Sequence, residues 1–202
     1  MQFDFNSDLP QGATPLDKNE AQGLKLKHIV LLSELNEFEN QNIAKAMHWL
    51  PSQRKKELLN VTFVLTLHKK MFGDVWKWAG NFRTSDKNIG TSWFEVPEKV
   101  KILLEDVSFW IENSSYSWDE IGVRLHHRLV SIHPFPNGNG RHARLFCDAV
   151  FQKHGIPIFS WSGVGFAPSD FRTKYIEALR AADRKDYGPL LALVAHAANS
   201  PR

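Results

Sequence analysis

One run of residues carries most of the chemistry this chain can do: His133-Pro134-Phe135-Pro136-Asn137-Gly138-Asn139-Gly140-Arg141-His142-Ala143-Arg144. The flanking pattern predicts a helix that ends near Ile132 and a second that starts near Asn139 or Gly140. Two glycines around an asparagine permit positive φ and close approach of the backbone. The free N–H groups at the start of the second helix then face the loop and form an anion site. Arg141 and Arg144 stand at i and i+3, so both guanidinium groups rise from one helix face. Paired arginines beside such a nest suit a polyphosphate. His133, at the other end of the loop, is placed to take a proton from an incoming hydroxyl. Phe135 is the apolar anchor that fixes the loop to the core. No Lys-Ser or Lys-Thr follows the last glycine, so this is not a Walker A loop. The plain alternative is a glycine-rich connector with solvated arginines.

Helices must position these groups. Asn36 with Glu39 reads as a capping box, followed by Phe38, Ile43, Met47 and Leu50 at helical spacing and stopped by Pro51. Ser52 reads as the next cap, before an apolar face of Leu58, Val61, Leu65 and Phe72. Pro97 fits a first helical turn, ahead of Val100, Leu104, Val107 and Ile111. Ser117 and Glu120 form another capping box. The helix after the glycine loop runs to about His154 and is closed by Gly155 and Pro157. The last helices lie near 169–182 and 189–198. Residues 73–97 differ: Gly73, Gly80 and Gly90 punctuate them, and Thr91, Trp93, Phe94 and Val96 favour strand, so a small hairpin is expected there. Residues 1–24 read as an extended arm with a short helix near Asp17–Gln22. The fold class is all-α, a helical bundle with one hairpin.

Composition bounds the rest. Lys plus Arg is 25 against 22 acidic residues, a surplus of three that is no nucleic-acid footprint. Seven Trp and 14 Phe predict a well-filled core rather than a disordered chain. One cysteine, Cys147, excludes an intrachain disulfide and suits a reducing compartment; a buried inert thiol is its expected state. No apolar run approaches the ~20 residues that span a bilayer, and no basic-then-apolar leader opens the chain. The expected location is the cytoplasm. His126, His127, His133 and His142 lack HExxH or cysteine-pair spacing, so no metal site is expected from them.

The central run resembles the motif of the Fic family, HxFx(D/E)GNGRxxR. Other segments are similar to family features: His68-Lys69-Lys70-Met71-Phe72-Gly73, Trp78-Ala79-Gly80-Asn81-Phe82-Arg83, and the expected hairpin. Thr14-Pro15-Leu16-Asp17 and Glu34-Leu35-Asn36-Glu37 resemble the bacterial branch called mobile mystery protein B. The resemblance covers nearly the whole chain. It implies a Fic-type bundle over residues 36–202, preceded by an arm and candidate regulatory segment over 1–35.

The resemblance also implies an activity: transfer of AMP from ATP to a Ser, Thr or Tyr hydroxyl of a target protein. On that basis His133 is the general base, and Gly138, Asn139 and Gly140 cradle the α- and β-phosphates. Arg141 and Arg144 hold the β- and γ-phosphates, and Phe135 anchors the loop. Lys87, Asn88, Ile89 and Gly90 belong to the flap that holds the target as an added strand.

Two departures matter. The family has Asp or Glu where this chain has Asn137, to bind Mg²⁺; a neutral amide oxygen is a much weaker ligand for a hard dication. Three explanations stand: slow transfer with metal held mostly by the phosphates, a different reaction such as AMP removal, or a nucleotide-binding or toxin-like interaction module with little catalysis. Many family members also carry an inhibitory helix, (S/T)xxxE(G/N). Ser33 and Glu37 match it, but Phe38 follows; Glu39-Asn40 matches its end, but Leu35 precedes. Glu37 is the candidate clamp on Arg144. Simple capping of the helix N-terminus is the alternative.

Overall fold

The computed structural model describes residues 14–159 and 169–198. Residues 1–13 of the expected arm lie outside them. Within them the order of helices is α1 (Lys18–Gln22), α2 (Leu32–Trp49), α3 (Val61–Phe72), α4 (Val96–Glu112), α5 (Trp118–Ile132), α6 (Asn139–Lys153), α7 (Ser169–Asp183) and α8 (Gly188–Ala198). Short 3₁₀ turns follow α2 and precede α4. The helical class is as expected from the sequence.

Local chemistry explains most boundaries. Asp17 caps α1, accepting from the Glu20 N–H, while the Glu20 carboxylate accepts from the Asp17 N–H, both at 2.8 Å. Pro97 sits in the first turn of α4. Ser117 caps α5 by accepting from the Glu120 N–H. Gly155, at φ +70°, follows the end of α6.

Two starts differ from expectation. α2 begins at Leu32, not at Asn36, because the Glu34 carboxylate accepts from the Val30 and Leu31 N–H groups. α3 begins at Val61, capped by the Asn60 side chain through the Phe63 N–H, while Ser52 bonds back to the Trp49 carbonyl in the 3₁₀ turn. The buried face of α3 is Phe63, Val64, Leu67, His68, Met71 and Phe72; of the expected face Phe72 is buried, while Val61 and Leu65 are half-buried.

No hairpin is present among the described residues. Residues 82–92 form an irregular loop, and the single β-bridge pairs Leu24 with Trp76. Arg83 explains the difference. Its buried guanidinium collects the carbonyls of Ser85 and Thr91 within the loop, and those of Ile132 and His133 at the end of α5. The loop is thus tied to a side chain instead of to a second strand.

The core lies where α5 and α6 pack together, with α3 against α6, α4 and α8 against α5, and α2 across α3. Val64, Leu67, Val107, Leu125, Phe135, Phe146 and Phe151 are fully or almost fully buried there. Trp76 stacks on Trp78 with ring centroids 4.9 Å apart, as core. Cys147 is buried, and burial pushes its thiol pKa well up, so it is an inert packing group. Among the described residues no helix is long and apolar enough to cross a membrane.

Candidate active site

The loop between α5 and α6 is built by its own side chains. Asn139 turns inward: its Oδ1 accepts from the Phe135 N–H at 2.9 Å, and its Nδ2 donates to the Phe135 carbonyl at 2.8 Å. The asparagine therefore staples the loop through both amide atoms. The nest it was expected to join is made of backbone: Gly138 precedes α6 at φ +79°, and the first N–H groups of α6 have no helical partner. A Cβ at Gly138 would lie 2.5 Å from the Phe72 ring, so only glycine fits.

Phe135 is completely buried and its ring stacks on His68, with centroids 3.6 Å apart and planes 12° apart. His68 itself accepts from the Gly80 N–H at Nδ1 and donates from Nε2 to the Asn137 carbonyl. Burial and the neighbouring His142 hold its pKa well below the ordinary value, so the ring is neutral and this one tautomer serves both bonds. His142 in turn reaches the Val64 carbonyl at 3.0 Å. His68 thus ties the loop to α3, and His142 ties α6 to α3.

His133 ends α5 in the left-handed region, at φ 56° and ψ 60°. That conformation costs a non-glycine residue about 1 kcal/mol or more. Arg83 holds it there: Nε donates to the His133 carbonyl at 2.7 Å, and the Arg83 N–H donates to the Pro134 carbonyl at 2.9 Å. Gly90 lets the loop approach, since a Cβ on it would lie 2.7 Å from the His133 Cβ. Burial, and then the Arg83 guanidinium, lower the His133 pKa to about 4. The imidazole is therefore neutral at pH 7, and one of its ring nitrogens carries a lone pair. Its Nε2 lies 2.9 Å from the Thr14 hydroxyl oxygen.

The arginines occupy the other end. Arg141 lies over the Phe72 ring at 4.9 Å and pairs with the Glu39 carboxylate at 2.7 Å. Glu39 is buried, and its second oxygen accepts from the Trp76 indole N–H at 2.6 Å. Arg144 is desolvated beside Tyr175, whose hydroxyl also lies 2.7 Å from His126 Nε2. Glu37, the sequence candidate for a clamp on Arg144, is exposed and accepts instead from Gln41. Glu39 is the acid that reaches an arginine, and the arginine is the first of the pair. The starting point of α2 accounts for this: with Glu34 capping the helix, Glu39 is freed for the interior.

Lys87, Asn88, Ile89 and Gly90 form no strand, and Gly90 is the one of them shown against His133. The Lys87 ammonium is buried against Glu20, with Asp17 at 3.8 Å. Ile89, Trp93 and Phe94 are exposed on the same segment.

Asn137 brings no carboxylate to the loop. Its side-chain oxygen accepts from the Gly138 N–H within the loop and carries no charge. The described residues contain no cluster of three or more metal-type ligands. The residues present therefore do not fit a loop-held dication, and the cations of the site are Arg141 and Arg144.

Sequence reasoning missed two contributors, Arg83 and Thr14, and preferred Glu37 over Glu39 as the acid of the site. Arg83 and Thr14 stood in segments of family resemblance without an assigned role. Glu39 stood in the second frame of the inhibitory motif, set aside because Leu35 replaces its Ser or Thr.

Residues 58–151 match the family model "Fic/DOC family". The Caenorhabditis elegans protein adenylyltransferase fic-1 is 28% identical over 146 residues, which is 70% of this chain and 28% of that protein. This chain thus spans less than a third of that relative's length. The N-terminal FIC domain of Bep8 from Bartonella sp. 1-1C superimposes with a TM-score of 0.68 at 17% identity, covering 88% of this chain and 90% of the other. BepC from Bartonella tribocorum, solved with bound AMPPNP, gives a TM-score of 0.65 at 18% identity, over 85% and 90% of the two chains. The segment that holds His133, the glycine loop and both arginines lies within the stretch that matches the Fic/DOC family model.

Proposed function

We propose that this protein is an adenylyltransferase that moves AMP from ATP to a hydroxyl side chain of a target protein. The observation that carries the reading is His133: a neutral, buried imidazole with a hydroxyl at 2.9 Å, at one end of a loop whose other end opens α6 and its two arginines. The target oxygen attacks the α-phosphorus while Nε2 of His133 takes its proton. The bond between the α-phosphorus and the bridging oxygen breaks, and pyrophosphate leaves. Such transfers depend mainly on positioning and on charge stabilisation, which here falls to the N–H nest, Arg141 and Arg144. The relatives named adenylyltransferase and the AMPPNP complex of BepC support the nucleotide. The exposed Ile89, Trp93 and Phe94 beside Lys87–Gly90 supply a docking edge for the target. Residues 36–202 act as the transferase unit, in the bacterial cytoplasm and in the mobile mystery protein B branch, on the strength of the sequence resemblance.

The Glu39–Arg141 pair favours a second reading, a nucleotide-binding module held quiet by that carboxylate. Labelled ATP separates the two. A label on the α-phosphate should remain on protein and a label on the γ-phosphate should not, with Glu39→Gln raising the yield several-fold by freeing Arg141. Retention of the γ-label would make the reaction phosphoryl transfer. Binding without either label, in both proteins, would establish the quiet module.

A further inference from the structure

We propose that Thr14 is itself an acceptor: the chain presents its own hydroxyl to His133 and modifies it with AMP. This rests on the adenylyl-transfer reading above and adds a named substrate to it.

The contact is specific. Thr14 Oγ lies 2.9 Å from His133 Nε2, both residues being buried. That distance is what a general base requires of the hydroxyl it deprotonates. No other hydroxyl among the described residues is hydrogen-bonded to the His133 ring.

The hydroxyl is delivered by a docked strap, not by a chance contact. Leu16 is buried in the core cluster. Asp17 and Glu20 cap α1 and also face the buried Lys87, and Ser85 donates to Asp17 at 3.2 Å. The Trp78 indole donates to the Glu20 carbonyl at 3.0 Å. Further along, Lys25 N–H donates to the Val75 carbonyl and Lys77 N–H to the Gly23 carbonyl, so residues 23–25 are laced to residues 75–77. The strap is thus held downstream of Thr14 on the loop that borders the catalytic histidine. A hydroxyl pre-positioned in this way has the advantage of an intramolecular reactant.

The step is balanced within the proposed reaction. Thr14 Oγ bonds to the α-phosphorus of ATP, the bond from that phosphorus to the bridging oxygen breaks, pyrophosphate departs, and the Thr14 proton passes to His133 Nε2. The product is a phosphodiester between Thr14 and adenosine. A foreign target must displace the strap to reach the same imidazole.

The test is peptide mass spectrometry of the full chain after incubation with ATP, using wild type, Thr14→Val and Thr14→Ser, each also in a Glu39→Gln background. An adenylyl group on the Thr14 peptide is expected, reduced at least tenfold by Thr14→Val and retained by Thr14→Ser. Label on other hydroxyls or on an added protein, with Thr14 unmodified, would overturn the inference and leave the transferase reading standing. No label on any hydroxyl in any of these proteins, with nucleotide bound, would overturn both.

Discussion

Replacing Arg83 by alanine is expected to reduce transfer by two orders of magnitude or more and to destabilise the fold by about 3 kcal/mol. The size follows from what one guanidinium does. It is 2% exposed and satisfies carbonyls on two segments, the 83–91 loop and the end of α5. Its loss leaves buried acceptors without donors and removes the only described side-chain bond to the His133 carbonyl. His133 then relaxes from its left-handed conformation, and the imidazole leaves the position set by the loop. Arg83 is a positioning residue, so its loss should appear in kcat while nucleotide affinity, set by α6, changes little. Arg83→Lys keeps a charge but cannot donate in several directions at once, and should recover only part of the stability. A folded Arg83→Ala protein with wild-type kcat would refute the positioning role.

Acid should weaken this fold well before its carboxylates titrate. His133 and His142 have pKa values lowered to about 4, chiefly by burial, and His68 and His126 are pushed well below the ordinary value for the same reason. In the unfolded chain each titrates near 6.5. Between about pH 6.5 and pH 4 the unfolded state binds more protons than the folded one, so stability falls as pH falls. For His133 and His142 together the loss from pH 6.5 to pH 5 is about 3 kcal/mol, a large part of a typical domain's stability. Thermal melts should therefore show Tm lower by about 10 °C at pH 5 than at pH 7. The same shift predicts that self-labelling, measured where the protein stays folded, is flat from pH 7 down to pH 5.5 with no inflection near 6.5. Equal Tm at pH 5 and pH 7 would contradict the buried neutral state of these rings.

The readable parts of this molecule were those governed by short-range chemistry. Ser117 with Glu120, Pro97 and Gly155 announce helix ends because caps and turns are decided within a few residues. The loop from His133 to Arg144 is legible for the same reason: its glycines and its Asn139 staple act within the loop itself. What could not be read is decided at long range. Glu39 looks like a capping residue until α2 is laid across α3, where it meets Trp76 and Arg141. Strand-favouring residues near Thr91 suggest a hairpin, but the buried Arg83 takes the carbonyls instead. Thr14 looks like part of an arm until the arm is seen over His133. Each depends on two segments that meet only in the folded chain.

The Glu39 pair and the Thr14 strap point to one state of the site. Glu39 neutralises Arg141 in place, and the His133 ring already holds a hydroxyl. Each contact covers one end of the same loop, so release of the arginine and displacement of the strap are separate events. On the proposed function, a nucleotide competes with Glu39 for Arg141, and a protein target competes with Thr14 for His133.

The most direct measurement is the intact mass of the protein after incubation with ATP, for the Glu39→Gln chain with and without His133→Ala. The account predicts addition of one or more adenylyl groups when His133 is present and none when it is alanine, with nucleotide binding kept in both. Equal mass gain in the two proteins, or no gain in either, would contradict His133 as the base of an adenylyl transfer.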